Sequence, residues 1–287
     1  MTSPRAELSG SAREGTQPMQ KLAVVNMKGG VGKTATAIHL AAGFAGRGAR
    51  VLLVDADPQG TVAHVLRARP NGTLTDLLLH GADPNAVVTA GIRPNLDIIA
   101  ATPAAFALDA QLAGVIQRET VLRRALARLS GYDTVIVDTS PAMSLLTYNA
   151  LLYATGMVLP VAMESMAVVG ARQTLDGVEQ IRSLWPEHPL QLLAVVPTCV
   201  NVSTHASRAT LEALDNDPRM RAFVFRPGIR QCLDLTYATA AGQTIWEYAP
   251  RSRAAADYTA LVDVVGAAAA GTPLTSYGQV QETQAVV

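Results

Sequence analysis

A glycine-rich stretch near the start of the chain, NMKGGVGKTAT at residues 26–36, has the residue types and spacing of a phosphate-binding loop. It follows an apolar run and precedes a helical pattern, so its glycines can turn backbone N–H groups towards phosphate oxygens at a helix N-terminus. Lys33 is placed to reach the β- and γ-phosphates of a nucleotide, and the Thr34 hydroxyl to bind Mg²⁺. The stretch departs from the common pattern G-x-x-x-x-G-K-[ST] at Met27, where glycine is usual, and a second lysine, Lys28, follows it.

Lysine is rare in this chain, and its distribution singles out the loop. Of the 23 basic residues, three are lysine (Lys21, Lys28 and Lys33), and all the others are arginine. The lysine ammonium is a compact point charge, which approaches a phosphate differently from the planar guanidinium of arginine. We therefore interpret both loop lysines as chosen for phosphate chemistry.

Three aspartates at the ends of apolar runs support this interpretation. Asp55 and Asp57 follow the run VLLV, and Asp138 ends the run TVIVD. Because ligands of open α/β sheets bind at the carboxyl ends of the strands, we expect all three carboxylates near the loop. Asp138, directly after an apolar strand, is suited to hold the Mg²⁺ shell of a nucleotide. A helix cap or a turn is the alternative for each aspartate taken alone.

Apolar periodicity predicts the elements that position these groups. Continuous apolar runs are typical of strands buried on both faces of a parallel sheet. They lie at residues 22–26, 51–55, 96–101, 134–138, 157–163, 192–198 and 222–225. Helical patterns between them include TATAIHLAAGFAGRG, ending at Gly48, and RETVLRRALARLSG, ending at Gly131. The alternation predicts an α/β fold with a doubly wound, mostly parallel sheet flanked by helices.

Composition limits the domain organisation and the classes of function. The chain has 287 residues, of which 49% are hydrophobic and 16% charged, and its formal net charge is zero. We predict one domain over residues 21–270 between flexible tails at 1–20 and 271–287. Because the net charge is zero, binding to nucleic acid would need a local basic patch instead of an overall positive charge. Cys199 and Cys232 have no metal-ligand spacing, so we expect reduced thiols. Since neither a secretory signal nor a run of the roughly 18 apolar residues of a membrane span occurs, we expect a cytoplasmic protein.

Three motifs resemble those of the ParA/MinD family of ATPases. KGGVGKT resembles the deviant Walker A motif of that family, and DADPQG and VDTSPAMSLLTYNALLYA resemble the next two motifs. The resemblance runs from about Lys21 to Val265 and favours the ParA branch, whose members segregate plasmids and chromosomes or position other large cargo. A phosphate loop that begins at residue 28 resembles the short members without an N-terminal helix-turn-helix region. Ala35 and Ser140 depart from the family pattern, which often has threonine and proline there, without removing an essential group.

The resemblance implies roles for individual residues. In the family, the extra lysine crosses a dimer interface to phosphates bound by the other subunit, and Lys28 corresponds to it. Asp57 corresponds to the acid that positions the attacking water, so Asp57, Lys28 and Lys33 are the predicted catalytic residues. The predicted ATP site comprises Lys28, Gly29, Gly30, Val31, Gly32, Lys33, Thr34, Ala35 and, against the adenine, Pro227. The predicted Mg²⁺ site comprises Thr34, Asp55 as an outer-shell contact, and Asp138.

The resemblance also implies partners. It predicts slow, partner-stimulated ATP hydrolysis, an ATP-dependent sandwich homodimer, non-specific binding to double-stranded DNA, and a ParB-like adaptor protein on the cargo. The protein would then be cytoplasmic and associated with the nucleoid. Arg230, Arg251 and Arg253 are the predicted DNA-binding residues, because IRQ and PRSR lie where family members carry basic residues. Phosphate contacts of this kind weaken as salt rises.

Other functional classes fit the sequence less well. A MinD-like ATPase that cycles on membranes would need a basic amphipathic terminal helix, but residues 275–287 contain no lysine or arginine. An electron-transfer ATPase would need cluster-ligating cysteines, and neither cysteine lies in such a stretch. A static nucleotide site would need neither Asp57 nor Lys28. The cargo stays open between a plasmid or chromosome and a protein compartment positioned on the nucleoid.

Overall fold

The computed structural model describes residues 18–164 and 166–272, which contain one eight-stranded sheet. The strands are Gln20–Val24 (β1), Val51–Ala56 (β2), Thr89–Arg93 (β3), Leu96–Ile99 (β4), Thr134–Thr139 (β5), Gly156–Ala162 (β6), Gln191–Val200 (β7) and Ile229–Arg230 (β8). They lie in the order β3-β4-β2-β5-β1-β6-β7-β8. All neighbours are parallel except β3 and β4, which are antiparallel. The predicted mostly parallel, doubly wound α/β fold is confirmed.

Helices cover both faces of the sheet. They are Lys33–Gly46 (α1), Thr61–Val65 (α2), Leu74–Leu79 (α3), Pro84–Val87 (α4), Leu108–Leu112 (α5), Val121–Ala125 (α6), Leu145–Tyr153 (α7), Ala167–Leu184 (α8), His205–Asp215 (α9), Leu233–Ala241 (α10), Ile245–Tyr248 (α11) and Arg253–Ala269 (α12). Short 3₁₀ turns lie at Pro103–Ala107, Arg118–Thr120, Leu126–Arg128 and Arg221–Phe223. None of the helices that the structure describes is long and apolar enough to cross a membrane.

The central strand β1 explains the continuous apolar run that predicted it. Leu22 and Val24 belong to the core on the side of α1 and α12, and Ala23 and Val25 to the core on the side of α7 and α8. Since side chains alternate between the faces of a strand, burial of both faces requires every residue to be apolar. Burial of each large aliphatic side chain stabilises the fold by roughly 1.5–3 kcal/mol.

The helix that follows the phosphate loop packs directly on the last helix. A Cβ atom at Gly43 of α1 would lie 2.4 Å from Cγ2 of Val262 on α12, so glycine permits this close approach. The helix ends at Gly46, and Gly48 has φ 89°, in the left-handed region that favours glycine. The predicted end of this helix at Gly48 is therefore correct to within two residues.

Two sequence predictions are wrong. Residues 222–225 do not form a strand, because the 3₁₀ turn Arg221–Phe223 is followed by a single bridge from Val224 to Val195, and the edge strand is β8. Phe225 is apolar because it fills the core, where it is 2% exposed. The expected helix over residues 118–131 is broken into two 3₁₀ turns around α6.

Two features of the fold lie outside the earlier predictions or at their margins. Strand β3 was not predicted, since its partly exposed sequence TAGIR, with Gly91 at φ 68°, lacks a continuous apolar run. The folded elements extend from Gln20 to Ala269, close to the predicted domain of residues 21–270. The predicted tails fall almost entirely on residues 1–17 and 273–287, outside the described residues.

Candidate functional site

The phosphate loop connects the central strand β1 to helix α1 at the carboxyl edge of the sheet. Gly30 and Gly32 have φ of 75° and 84°, backbone conformations that glycine adopts without strain, and Gly32 is the N-cap of α1. Gly29 and Gly30 are exposed, whereas Val31 is 1% exposed. Thr34 and Ala35 are half-buried in the first turn of α1. The structure thus forms a concave turn of backbone amides at a helix N-terminus, which favours anions.

The two loop lysines point to different places. Lys33 is 7% exposed and its Nζ donates to the backbone oxygen of Lys28 at 3.0 Å, inside the loop. Burial lowers the pKa of Lys33, and the charges of Asp138 and Asp57 partly oppose that shift. Lys28 instead forms an ion pair with Glu164, beyond the end of β6. One lysine therefore lies in the phosphate cradle, and the other lies outside it.

The start of the loop is fixed against β6 and α8. The Lys28 N–H donates to Oδ1 of Asn26 at 2.9 Å, and the Asn26 side chain donates to the backbone oxygen of Pro160 at 2.7 Å. A Cβ atom at Gly170 of α8 would lie 2.9 Å from Cβ of Lys28, so only glycine permits this packing. The backbone of Lys28 is consequently fixed, while its side chain remains 25% exposed.

The three predicted aspartates come together at the ends of adjacent strands. Asp55 on β2 and Asp138 on β5 are register partners, and both are completely buried. Asp55 accepts hydrogen bonds from the N–H groups of Asp57 at 3.0 Å and Val62 at 3.1 Å. Burial nevertheless raises the pKa of Asp55 to about 7. Its role in the described residues is to fix the turn that carries Asp57.

Asp138 is an unsatisfied buried carboxyl group. Neither of its oxygens has a hydrogen-bond partner in the described part of the chain. Burial, and after it the charge of Asp55, raise the pKa of Asp138 well above the usual value; Asp57 adds to this shift, and Thr34 and Lys33 oppose it. Buried polar groups are rarely left unpaired, so this carboxyl group fits the role of a ligand to a cation.

Asp57 differs from the other two carboxylates because it is only half-buried. Its Oδ1 accepts the Gln59 N–H at 3.0 Å within a turn, which leaves the group accessible at the carboxyl edge of the sheet. Its charge acts on the pKa values of both Lys33 and Asp138, which places it beside the phosphate loop. An accessible carboxylate here can orient a water molecule.

Two residues of this site were missed by sequence reasoning. Thr198 on β7 is 4% exposed, and its hydroxyl donates to the backbone oxygen of Val31 at 2.9 Å, which fixes the middle of the phosphate loop. Glu164 is the ion-pair partner of Lys28. Both are polar residues at or just after the carboxyl end of an apolar run, the same signal that identified Asp55 and Asp138.

The remaining predicted residues lie on β8, in the turn before it, and at the start of α12. Pro227 is exposed in the turn before β8, beside the carboxyl end of β7. Arg251 and Arg253 are exposed at the start of α12. The Arg230 guanidinium donates to both carboxylate oxygens of Asp257, which is 3% exposed. The structure thus joins the loop and the three aspartates in one site, but not the arginines.

Comparison with known proteins supplies the family. The family model described as an AAA domain matches residues 19–189. The sporulation initiation inhibitor protein Soj of Bacillus subtilis is 35% identical over 86% of this chain and 98% of its own length. The chromosome-partitioning ATPase Soj of Thermus thermophilus is 37% identical over 86% of this chain and 95% of its own.

A solved structure agrees with these relatives. Cobyrinic acid a,c-diamide synthase from Mycobacterium smegmatis, with bound ATP analog and magnesium, has a TM-score of 0.74 and is 29% identical, covering 86% of this chain and 93% of that one. The predicted resemblance is therefore confirmed by sequence relatives along nearly their whole length and by the fold. The chain belongs to the ParA family of partition ATPases.

Proposed function

We propose that this protein hydrolyses ATP with Mg²⁺, forms an ATP-dependent sandwich homodimer, binds double-stranded DNA non-specifically, and segregates plasmid or chromosome DNA with a ParB-like adaptor. The observation that carries the proposal is that the two loop lysines occupy different positions. Lys33 lies in its own cradle, whereas Lys28 lies outside it in a partly exposed ion pair. A lysine in that position is available to the phosphates of a second subunit.

The site fits a magnesium–nucleotide complex. Asp138 has two buried oxygens without partners in the described residues, and the Thr34 hydroxyl is close enough to act on its pKa. Thr34 and Asp138 would hold Mg²⁺, with Asp55 in the outer shell. This suits Mg²⁺, which usually keeps several waters and takes its other ligands from substrate phosphates.

Hydrolysis requires this chain to position water and to neutralise phosphate charge. Asp57 would orient the attacking water from its half-exposed position, while Lys33 and the loop amides bind the phosphates. Bound Mg²⁺ would act as a Lewis acid that neutralises charge on the phosphate oxygens. Because phosphoryl transfer depends on positioning and electrostatic stabilisation, Lys28 from the second subunit would complete the site. Turnover would then be slow until a partner improves this geometry.

DNA binding is proposed for the exposed arginines at the start of α12. Arg251 and Arg253 have no carboxylate within 4.0 Å among the described residues, and a dimer would double them. Arg230 contributes less to this proposal than the sequence suggested, because its guanidinium is paired with Asp257. The ion pair between Arg230 and Asp257 holds β8 against α12. Binding to DNA would place the protein on the nucleoid.

Retention on non-specific duplex DNA tests the proposal. Wild type, Lys28→Ala and the control Lys21→Ala are compared with ATP, with ADP and without nucleotide, and ATP turnover is measured in parallel. Lys21 lies over the Tyr153 ring at 5.2 Å, away from the loop, so its variant controls for loss of a lysine. We expect retention with ATP for wild type and Lys21→Ala alone, and its loss as salt rises.

The outcomes separate the parts of the proposal. Equal retention with ATP, with ADP and without nucleotide would contradict the proposal that DNA binding requires an ATP-dependent dimer. Lys28 would then have no role in DNA binding. Absence of DNA retention under all conditions, with normal ATP turnover, would exclude DNA as the surface on which the protein acts. It would favour a different binding surface in the cell. Turnover that persists in Lys28→Ala would exclude the catalytic role of the second subunit.

A further inference from the structure

A second basic surface lies between α2 and α10, outside the region in which DNA-binding residues were predicted. A surface pocket of about 630 Å³ is lined there by His64, Arg67 and Arg69, together with Thr239 and Ala240 of α10. The pocket lining contains no acidic residue. A pocket of this composition attracts anions, because arginine fits phosphate oxygens with several directed N–H groups.

Arg67 is held in a fixed position in this pocket. Its φ is 53°, a left-handed conformation that non-glycine residues rarely adopt. Its side chain lies flat on Gly242, where a Cβ atom would come within 2.5 Å of Arg67 Cδ, and its Nη2 donates to the Ala240 carbonyl at 2.9 Å. Strained backbone conformations of this kind concentrate at functional sites. The guanidinium is thus pre-positioned on the end of α10.

The charges of the pocket are not neutralised within the described residues. Nine other arginines of the described ranges lie within 4.0 Å of a carboxylate oxygen. The pairs Arg67/Arg69 and Arg251/Arg253 have no such partner there, and neither do Arg123, Arg124, Arg128, Arg208 and Arg221. In a chain of zero net charge, unpaired arginines make the electrostatic potential locally positive, and among them Arg67 and Arg69 share a pocket whose lining contains no acidic residue.

Helices α10 and α11 connect the two arginine pairs. Tyr237 on α10 is 53% exposed, and its ring lies 6.5 Å from that of Tyr248 on α11, which is 41% exposed. Tyr237 precedes Ala240, the residue bound by Arg67, by one helical turn, and Tyr248 precedes Arg251 by three residues. Tyrosine hydroxyls and arginines are both common phosphate contacts on DNA. The two tyrosines therefore lie between the pocket arginines and the arginines at the start of α12, along the chain and through the contact of their rings.

We propose that the pocket of His64, Arg67 and Arg69 binds the phosphate backbone of duplex DNA and extends the surface of Arg251 and Arg253 along α10 and α11. The inference rests on the proposed DNA-binding function and adds a contact from a different part of the chain. An extended polyanion can occupy the pocket and the start of α12 together, whereas a small anion would fill the pocket alone. Duplex DNA is therefore the occupant that accounts for both arginine pairs.

The test compares DNA affinity and its salt dependence in matched variants. Arg69→Ala and Arg67→Ala/Arg69→Ala are compared with wild type and with Arg123→Ala/Arg128→Ala. This control removes the same charge as the double variant from two exposed arginines, one in α6 and one in the turn after it. Each lost phosphate contact should lower the slope of log K against log salt by about 0.9. At about 0.15 M salt this corresponds to roughly fivefold weaker binding for each contact. The control should bind DNA as wild type does.

Arg69→Ala keeps the test valid if the loss of Arg67 disturbs folding, because Arg69 has none of the packing contacts described for Arg67. If wild type fails to bind DNA with ATP, the proposed function fails and this inference fails with it. If wild type binds but both pocket variants keep its affinity and slope, the inference alone is wrong. If inorganic phosphate raises the unfolding temperature of wild type but not of the pocket variants, while their DNA binding is unchanged, the pocket is a small-anion site instead.

Discussion

Replacing Thr198 by valine tests how the fold fixes the phosphate loop. The hydroxyl of this buried residue donates to the Val31 backbone oxygen at 2.9 Å, and its own carbonyl accepts the Met163 N–H at 3.2 Å. Strand β8 begins beside it, because Thr198 is the register partner of Ile229. Valine has nearly the same shape but no hydroxyl, so Thr198→Val removes one hydrogen bond and little packing.

The magnitude follows from the environment of the Val31 carbonyl. A buried acceptor left without its donor costs about 1–3 kcal/mol. The neighbouring Gly29 and Gly30 are exposed, so in the nucleotide-free variant the loop can turn this carbonyl to water and avoid the cost. Binding of ATP requires the original loop conformation, and the same free energy then opposes binding. We expect the Kd for ATP to rise by about 5- to 150-fold, with a smaller loss of stability.

A calorimetric titration with ATP–Mg²⁺ measures this change in the Kd for ATP. Thr198→Ser is the matched control, because it keeps the hydroxyl and loses only a methyl group, and it should bind ATP nearly as wild type does. Urea unfolding without nucleotide shows how much of the cost appears as stability. The reasoning is refuted if Thr198→Val binds ATP within about twofold of wild type and also unfolds at the same urea concentration, since each kilocalorie should change affinity about fivefold.

Two further predictions concern other contacts of the site and its helix. Glu164→Gln removes the ion pair between Glu164 and Lys28. Because the pair is exposed, it contributes at most about 1 kcal/mol. We therefore expect ATP-dependent dimerisation, measured by sedimentation, to tighten by up to about fivefold per subunit. Weaker dimerisation would contradict this role. Burial lowers the pKa of His39 on α1 to about 4, where Nδ1–H donates to the Ala35 carbonyl and Nε2 accepts the Ile245 N–H. Between pH 6.5 and 4 only the unfolded chain binds the proton, so wild type should lose about 3 kcal/mol of stability over that range relative to His39→Gln, and parallel urea-unfolding profiles would refute the assignment.

The parts of the molecule that were predicted from sequence depend on local patterns. The phosphate loop, the strand before it and the helix after it are adjacent in sequence, so their order alone fixes their geometry. Asp55 and Asp138 were placed correctly because parallel strands bring their carboxyl ends to one edge of the sheet, where the two residues are register partners. The fold class followed from the same alternation of apolar runs and helical patterns.

The parts that were not predicted depend on contacts between distant residues. An apolar run at residues 222–225 is the same in a strand and in a turn that inserts Phe225 into the core. The arginine at position 230 has the same type whether it meets DNA or a carboxylate, and its partner Asp257 lies 27 residues further along the chain. Only the packing of β8 against α12 decides between these roles. Thr198 likewise acquires its function from Val31, at a sequence separation of 167 residues.

The electrostatics of the site suggest an order for its assembly. Asp138 is buried without a partner in the described residues, and burial raises its pKa, so a neighbouring cation would stabilise its charged form. Mg²⁺ bound with the nucleotide would reverse this shift and at the same time bring phosphate charge to the loop. Lys28 is bound to Glu164 through an exposed pair of small net strength, so it can leave when stronger negative charge is offered. That charge would lie on the nucleotide of the opposite subunit, and dimerisation would therefore follow the binding of nucleotide and metal.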